Sequence, residues 1–223
     1  MKVIDIKGEI VDNDTAAMYN FFDMQNTNPK ALQDSLNEAD GDDVTLNISS
    51  LGGDVFTASE IYTMLNQYSG KVTGVIQGIA ASAASFIPMV CDKIVMSPTA
   101  LMMIHRSWTV AEGNTNDLNH RSQVSAKVDE SIAAAYQNKT GKSQDEILQM
   151  MDEETWMTAE DAVKQGFADE VMEVQRVPQI SDSLSTLPSK NGINKFKHML
   201  KSTDDNIHSA LFMQKLDILK GTN

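Results

Sequence analysis

Val44-Thr45-Leu46-Asn47-Ile48 is a strand pattern that runs through Ser50-Leu51-Gly52-Gly53 into Asp54, where a helix begins with Val55, Ala58, Ile61, Tyr62 and Leu65 on one face. Asp54 is a helix-capping residue type, so the glycine pair sits at a strand-to-helix junction. The same alternation recurs along the chain. Val3–Ile6 opens as a strand, and residues 14–25 and 29–39 read as short helices, the second with Pro29 at its start and Gly41 just past its end. Strand signals follow at Lys71–Ile76, Lys93–Met96 and Leu101–Ile104, then a long helix over 116–139 carrying Leu118, Val124, Val128, Ile132 and Ala135 at helical spacing. Thr158-Ala159-Glu160-Asp161 starts another helix, Gly166 stops it, and 168–174 reads as a closing strand. Alternating strands and helices specify an α/β layered domain, not a sandwich or a bundle.

Three motifs stand at the strand ends: Ser50-Leu51-Gly52-Gly53, Gly78-Ile79-Ala80-Ala81-Ser82-Ala83-Ala84-Ser85, and Met103-Ile104-His105. They read as oxyanion loop, nucleophile and base. A hydroxyl becomes a useful nucleophile when an imidazole takes its proton, and a developing oxyanion needs backbone N–H groups that no side chain obstructs. Ser82 falls near the start of a helix running toward Val90, where unpaired N–H groups favour negative charge. The G-x-S-x-G elbow is absent, since alanines flank Ser82, which argues against an α/β-hydrolase. Taken alone, the Ala-Ala-Ser-Ala-Ala-Ser run could equally be a small-residue packing surface, and a lone histidine after an apolar strand is more often structural. The ordered series reverses both judgements. His120, His198 and His208 have no such company and read as surface residues.

From about Val3 to Val174 this ordered set resembles the ClpP family of self-compartmentalising serine peptidases. The resemblance implies a ClpP/crotonase-like α/β fold of repeated ββα units with a projecting handle helix, the role that falls to the long helix over 116–139. It implies Ser82 as nucleophile, His105 as general base, and the backbone N–H groups of Gly53 and Ala83 as the oxyanion hole. Leu51 stands where the family has proline, which loosens a turn but leaves both glycines. The family's third triad member, an aspartate two residues before an aromatic, corresponds to Glu154 ahead of Trp156-Met157-Thr158-Ala159. Asp152 and Glu153 are the fallback candidates, and a solvated helix end is the alternative for this acidic run. The reaction so implied, peptide hydrolysis through an acyl-enzyme, requires no cofactor and no metal.

Composition bounds the setting. A chain of 223 residues with 41% hydrophobic content buries one substantial core, placed at 1–175, with an appended tail at 176–223. The single cysteine, Cys91, excludes an intramolecular disulfide framework and a cysteine-built metal site, and its apolar neighbours make it a buried thiol. No secretory segment and no apolar run of membrane-spanning length is present, so a cytoplasmic protein with no membrane partner is expected. The net charge of −13 weighs against nucleic acid as a partner. Residues 176–223 hold 7 basic and 4 acidic side chains, which sets the tail near +3 and the body near −16. Tail positions Ile193, Phe196, Met199 and Leu200 share a helical face, as do Ile207 and Leu211.

The first strand begins within a few residues of Met1, leaving little chain for the axial loops by which housekeeping ClpP subunits engage an unfoldase ATPase. With Asp54, the Glu154–Glu160 stretch and the tail, this resembles the phage and prophage head-maturation branch. The partners so implied are polypeptide substrates, among them capsid or scaffold protein in a bacterial host cytoplasm or procapsid, and further copies of the chain in a ring or stacked rings. Three alternatives remain open: a housekeeping-type subunit working with an ATPase, a crotonase-type enzyme using paired N–H groups without Ser82, and a ring or scaffold component whose site is incomplete because Glu154 fails to support His105.

Overall fold

The computed structural model describes residues 2–173; the tail at 176–223, with His198 and His208, lies outside the described residues. Eight strands form one sheet whose spine is parallel. Strands β1 (Lys2–Ile10), β2 (Asn26–Thr27), β3 (Val44–Gly53), β4 (Val72–Ala81), β5 (Lys93–Met96) and β8 (Glu170–Val171) lie in the order β2-β1-β3-β4-β5-β8. Parallel strands need crossover helices, which here are α2 (Pro29–Ala39) between β1 and β3 and α3 (Val55–Asn66) between β3 and β4. This mixed α/β architecture with a parallel sheet is the expected fold class.

Alternation along β3 buries Val44, Leu46 and Ile48, which meet Ile4 and Ile6 of β1 and Ile76 of β4 in one core. Burying each such side chain is worth roughly 1.5–3 kcal/mol relative to leaving it in water. The helix starts follow the sequence signals. Asn28 caps α2 with Pro29 in its first turn, and the Asp54 carboxylate accepts from Thr57 N–H at 2.7 Å at the head of α3. Cys91 is buried in the same core.

Strand β4 positions the site because it is long enough to serve two neighbours. Its first half pairs with β5 (Thr73 opposite Lys93), and its second half pairs in parallel with β6 (Leu101–Ile104), with Ala81 opposite Met103. Strand β6 in turn pairs antiparallel with β7 (Thr155–Thr158), Ile104 standing opposite Thr155.

Some elements differ from the sequence expectation. Helix α1 (Asn13–Phe21) stops short of residue 25, because Asp23 takes a positive φ. The helix after Ser82 is α4 (Ala83–Phe86), which tightens into a 3₁₀ turn at Ile87–Val90 where Pro88 supplies no N–H. The closing strand shrinks to the two residues of β8. Helix α6 (Gln144–Asp152) opens on a Ser143/Glu146 capping box that the sequence reading passed over. Helix α5 (Thr115–Thr140) buries Asp129, Ala133, Ala135 and Tyr136 in its second half, while residues 115–124 are exposed. Helix α7 (Ala159–Gln165) begins on Thr158 and Asp161 and ends at Gly166, as read.

Candidate active site

Ser82 follows β4 and His105 follows β6, so the pairing of Ala81 with Met103 places the two residues side by side at the strand ends. His105 Nε2 lies 2.6 Å from Ser82 Oγ. Such contact between imidazole and hydroxyl is the geometric requirement for an activated serine.

Ser82 is held in a backbone conformation that side chains seldom adopt, with φ 53° and ψ −129°. Strain of this kind persists only where the surroundings over-determine it, and it clusters at functional sites. Ser82 N–H donates to Met103 O at 3.0 Å, and Ser82 O accepts from Ser85 N–H at 2.9 Å and from Ser85 Oγ at 2.5 Å. The result is a sharp strand-to-helix turn that exposes Oγ, built without the flanking glycines of the familiar elbow. Room for it comes from the opposing loop. A Cβ at Gly52 would fall 2.8 Å from Ser82 Cβ and 3.0 Å from Ala83 N, at a φ of +106° that disfavours side chains in any case. Gly53 answers a different need, since a Cβ there would come within 2.2 Å of Ile10 O on β1. The sequence reading prized the glycine pair for access by N–H groups; the closeness of Gly52 to the nucleophile turn is a contact between distant segments and left no local signal.

Gly53, Ser82, Ala83 and His105 all line one cleft of about 640 Å³, within the ordinary range of ligand-binding clefts. Its apolar wall is made by Phe56, Phe86, Val124, Val128 and Ile132, the last three from α5. Ala83 is the first residue of α4, so its N–H has no partner within the helix. Exposed Trp108 (82%) and Val110 (73%) follow His105 at the rim.

The acidic candidates are placed less uniformly. The β6–β7 pairing ends at Ile104 opposite Thr155, so His105 and Glu154 each stand one residue beyond the paired strands. Its Oε1 accepts from Trp156 Nε1 at 3.2 Å, and its φ is 48°. No carboxylate hydrogen-bonds His105 among the described residues. Asp152 is engaged elsewhere, by a two-pronged contact from Arg106 at 2.8 and 2.7 Å that holds its carboxyl below the usual range and raises the guanidinium. Glu153 accepts from Gln149 at 3.0 Å. Asp129, which sequence reasoning missed, is buried on α5, accepts from Ser107 N–H at 2.7 Å and lies 3.5 Å from Arg106, pinning the chain just beyond His105. His120 is exposed on α5.

Comparison with known proteins agrees with this fold. The family model described as Clp protease matches residues 24–175, more than half of the chain. The chain belongs to the Clp protease family. Similar curated proteins are described as ATP-dependent Clp protease proteolytic subunits. One from Bacteroides fragilis is 30% identical over 134 residues, covering 59% of this chain and 65% of its own length. One from Deinococcus radiodurans is 28% identical over 136 residues (60% and 67%), and one from Porphyromonas gingivalis is 27% identical over 144 (63% and 65%). The chain thus spans about two thirds of the length of these relatives. Among the described residues no helix is long and apolar enough to cross a membrane.

Proposed function

We propose that this chain is a serine endopeptidase acting on polypeptides inside a ring of its own copies, with Ser82 as nucleophile and His105 as general base. The observation that carries the reading is the 2.6 Å contact between His105 Nε2 and Ser82 Oγ at the mouth of the cleft. His105 takes the Ser82 proton as Oγ attacks the peptide carbonyl carbon; the carbonyl oxygen gains negative charge between the Gly53 and Ala83 N–H groups. His105 then returns that proton to the leaving amine, and water, deprotonated by His105, hydrolyses the ester and frees Ser82. Glu154, which like His105 stands one residue beyond the end of the β6–β7 pairing, is the proposed third member, steadying the imidazolium once its carboxylate leaves the Trp156 indole. The apolar wall of Phe56, Phe86 and Val128 suits a nonpolar side chain next to the cleaved bond.

As substrate we propose capsid or scaffold protein of a phage or prophage, cut without a dedicated ATPase; the support is the resemblance at Asp54 and around Trp156. The names of the relatives favour a second reading, a proteolytic subunit served by an ATP-driven unfoldase. A fluorophosphonate probe, with mass spectrometry to locate the adduct and sizing of the oligomer, tests the common core: labelling confined to Ser82 and lost in Ser82→Ala is expected, and an unlabelled intact ring refutes it. Degradation of a folded protein that requires a Clp ATPase and nucleotide would replace the first substrate reading by the second.

A further inference from the structure

Tyr136 is fully buried on α5, its ring packed 5.7 Å from that of Phe167. Phenylalanine would fill that space without burying a hydroxyl, so the oxygen needs its own explanation. It lies 2.6 Å from Ser85 Oγ, itself completely buried. Ser85 Oγ is 2.5 Å from Ser82 O, a carbonyl that can only accept, so the single Ser85 hydroxyl proton is committed there. Tyr136 must then be the donor to Ser85. Burial pushes the Tyr136 phenol above its ordinary range and keeps that proton in place. A directed relay results, from α5 through a serine of α4 to the backbone of the nucleophile turn.

We propose that Ser85 and Tyr136 are positioning residues for Ser82: the relay gives the Ser82 carbonyl a second, polarised donor beside Ser85 N–H and so holds the strained turn with Oγ aimed at His105. The inference rests on the reading of Ser82 as nucleophile. Ser85 is completely buried, and Tyr136, which borders the cleft, directs its hydroxyl to Ser85, so the role assigned to both is exerted through the Ser82 carbonyl. Their role accounts for two polar groups in the small-residue stretch and the apolar core that the acyl-transfer chemistry itself leaves unused, and it makes α5 part of the catalytic support as well as a wall of the cleft.

The test compares wild type, Ser85→Ala, Tyr136→Phe and the double variant in the assembled protein, reading the rate of fluorophosphonate labelling at Ser82, kcat and KM on a peptide substrate, and the thermal midpoint. Ser85→Ala should lower labelling and kcat about tenfold with KM little changed, the effect of one lost hydrogen bond expressed on the turn. Tyr136→Phe should lower them about threefold, because Ser85 still donates but is no longer polarised. Ser85→Ala alone leaves the buried phenol unpaired and lowers the midpoint; the double variant should recover the midpoint while its rate stays low. That separation is what a merely structural role would not produce. Rates that recover together with the midpoint, or wild-type labelling in Tyr136→Phe and the double variant, overturn the inference, and these two variants decide the matter if Ser85→Ala does not fold. Wild type that labels at Ser82 while all variants label equally fast sinks the positioning role alone; wild type that does not label at Ser82 sinks the nucleophile reading beneath it.

Discussion

Ser82 and Glu154 both occupy a left-handed backbone region, with φ 53° and 48°, yet they are held in opposite ways. Around Ser82 the turn is tied by three hydrogen bonds, crowded by Gly52 and enclosed by Ala83, Ala84 and Ser85. Around Glu154 the backbone makes one 3.2 Å bond to Met151 O, and the carboxylate rests on a half-exposed indole. The proposed nucleophile is tied on several sides; the proposed acid has few ties. In this arrangement the strained element is the one that must not shift during attack, while the group that only answers a developing charge is left on the surface of the loop.

The comparison breaks first at its rigid end. Ser82→Ala should lower kcat on the order of 10⁶-fold, with peptide hydrolysis reduced to residual levels and the fold kept, as seen by circular dichroism. Glu154→Gln should be next, at about 10⁴-fold, the size expected when a triad loses its charged member. Trp156→Phe sharpens the point, since removal of the indole donor should leave kcat equal or higher if Glu154 acts at His105, and a drop parallel to Glu154→Gln would assign the carboxylate a structural task instead. Gly52→Ala should lower kcat by roughly 10²–10³-fold by driving a methyl into the nucleophile turn, with the effect read in kcat and labelling rate and not in oligomer size.

The smallest effect concerns stability. Burial pushes the Cys91 thiol from its ordinary 9.0 up to about 12. Between those values the unfolded chain gives up a proton that the folded chain keeps, so stability is present below pH 9 and declines as pH rises toward 12. Tyr136 acts in the same direction. Urea midpoints across this range should fall more gently in Cys91→Ala than in wild type, whatever the offset from the cavity; parallel curves would remove the thiol from the account.

The elements legible in the sequence were those whose signals are local. Pro29 and Asp54 marked helix starts, β5 and β6 were bounded correctly by short apolar runs, and α5 by its spacing. Strands β2 and β7 were not assigned as strands, because Asn26-Thr27 is too short and Thr155-Trp156-Met157-Thr158 lacks the apolar run that marked β5 and β6. At the site, the ordered motifs brought Ser82 and His105 to notice as a pair. What escaped notice was written in pairs far apart in the chain: Gly52 against Ser82, Asp129 against Ser107, Ser85 against Tyr136. Ser85 looked like one more small residue in a run of them, and no local signal singled out Tyr136.

The pairing of Ala81 with Met103 also sets when the proposed nucleophile and base can meet. Nucleophile and base are supplied by two separate strands and meet only once β6 has docked on the far half of β4. A nascent chain, or one stalled with that edge open, carries both groups but no hydrolytic centre. On the proposed reading, hydrolytic capacity arises with the pairing of β4 and β6 and not before it.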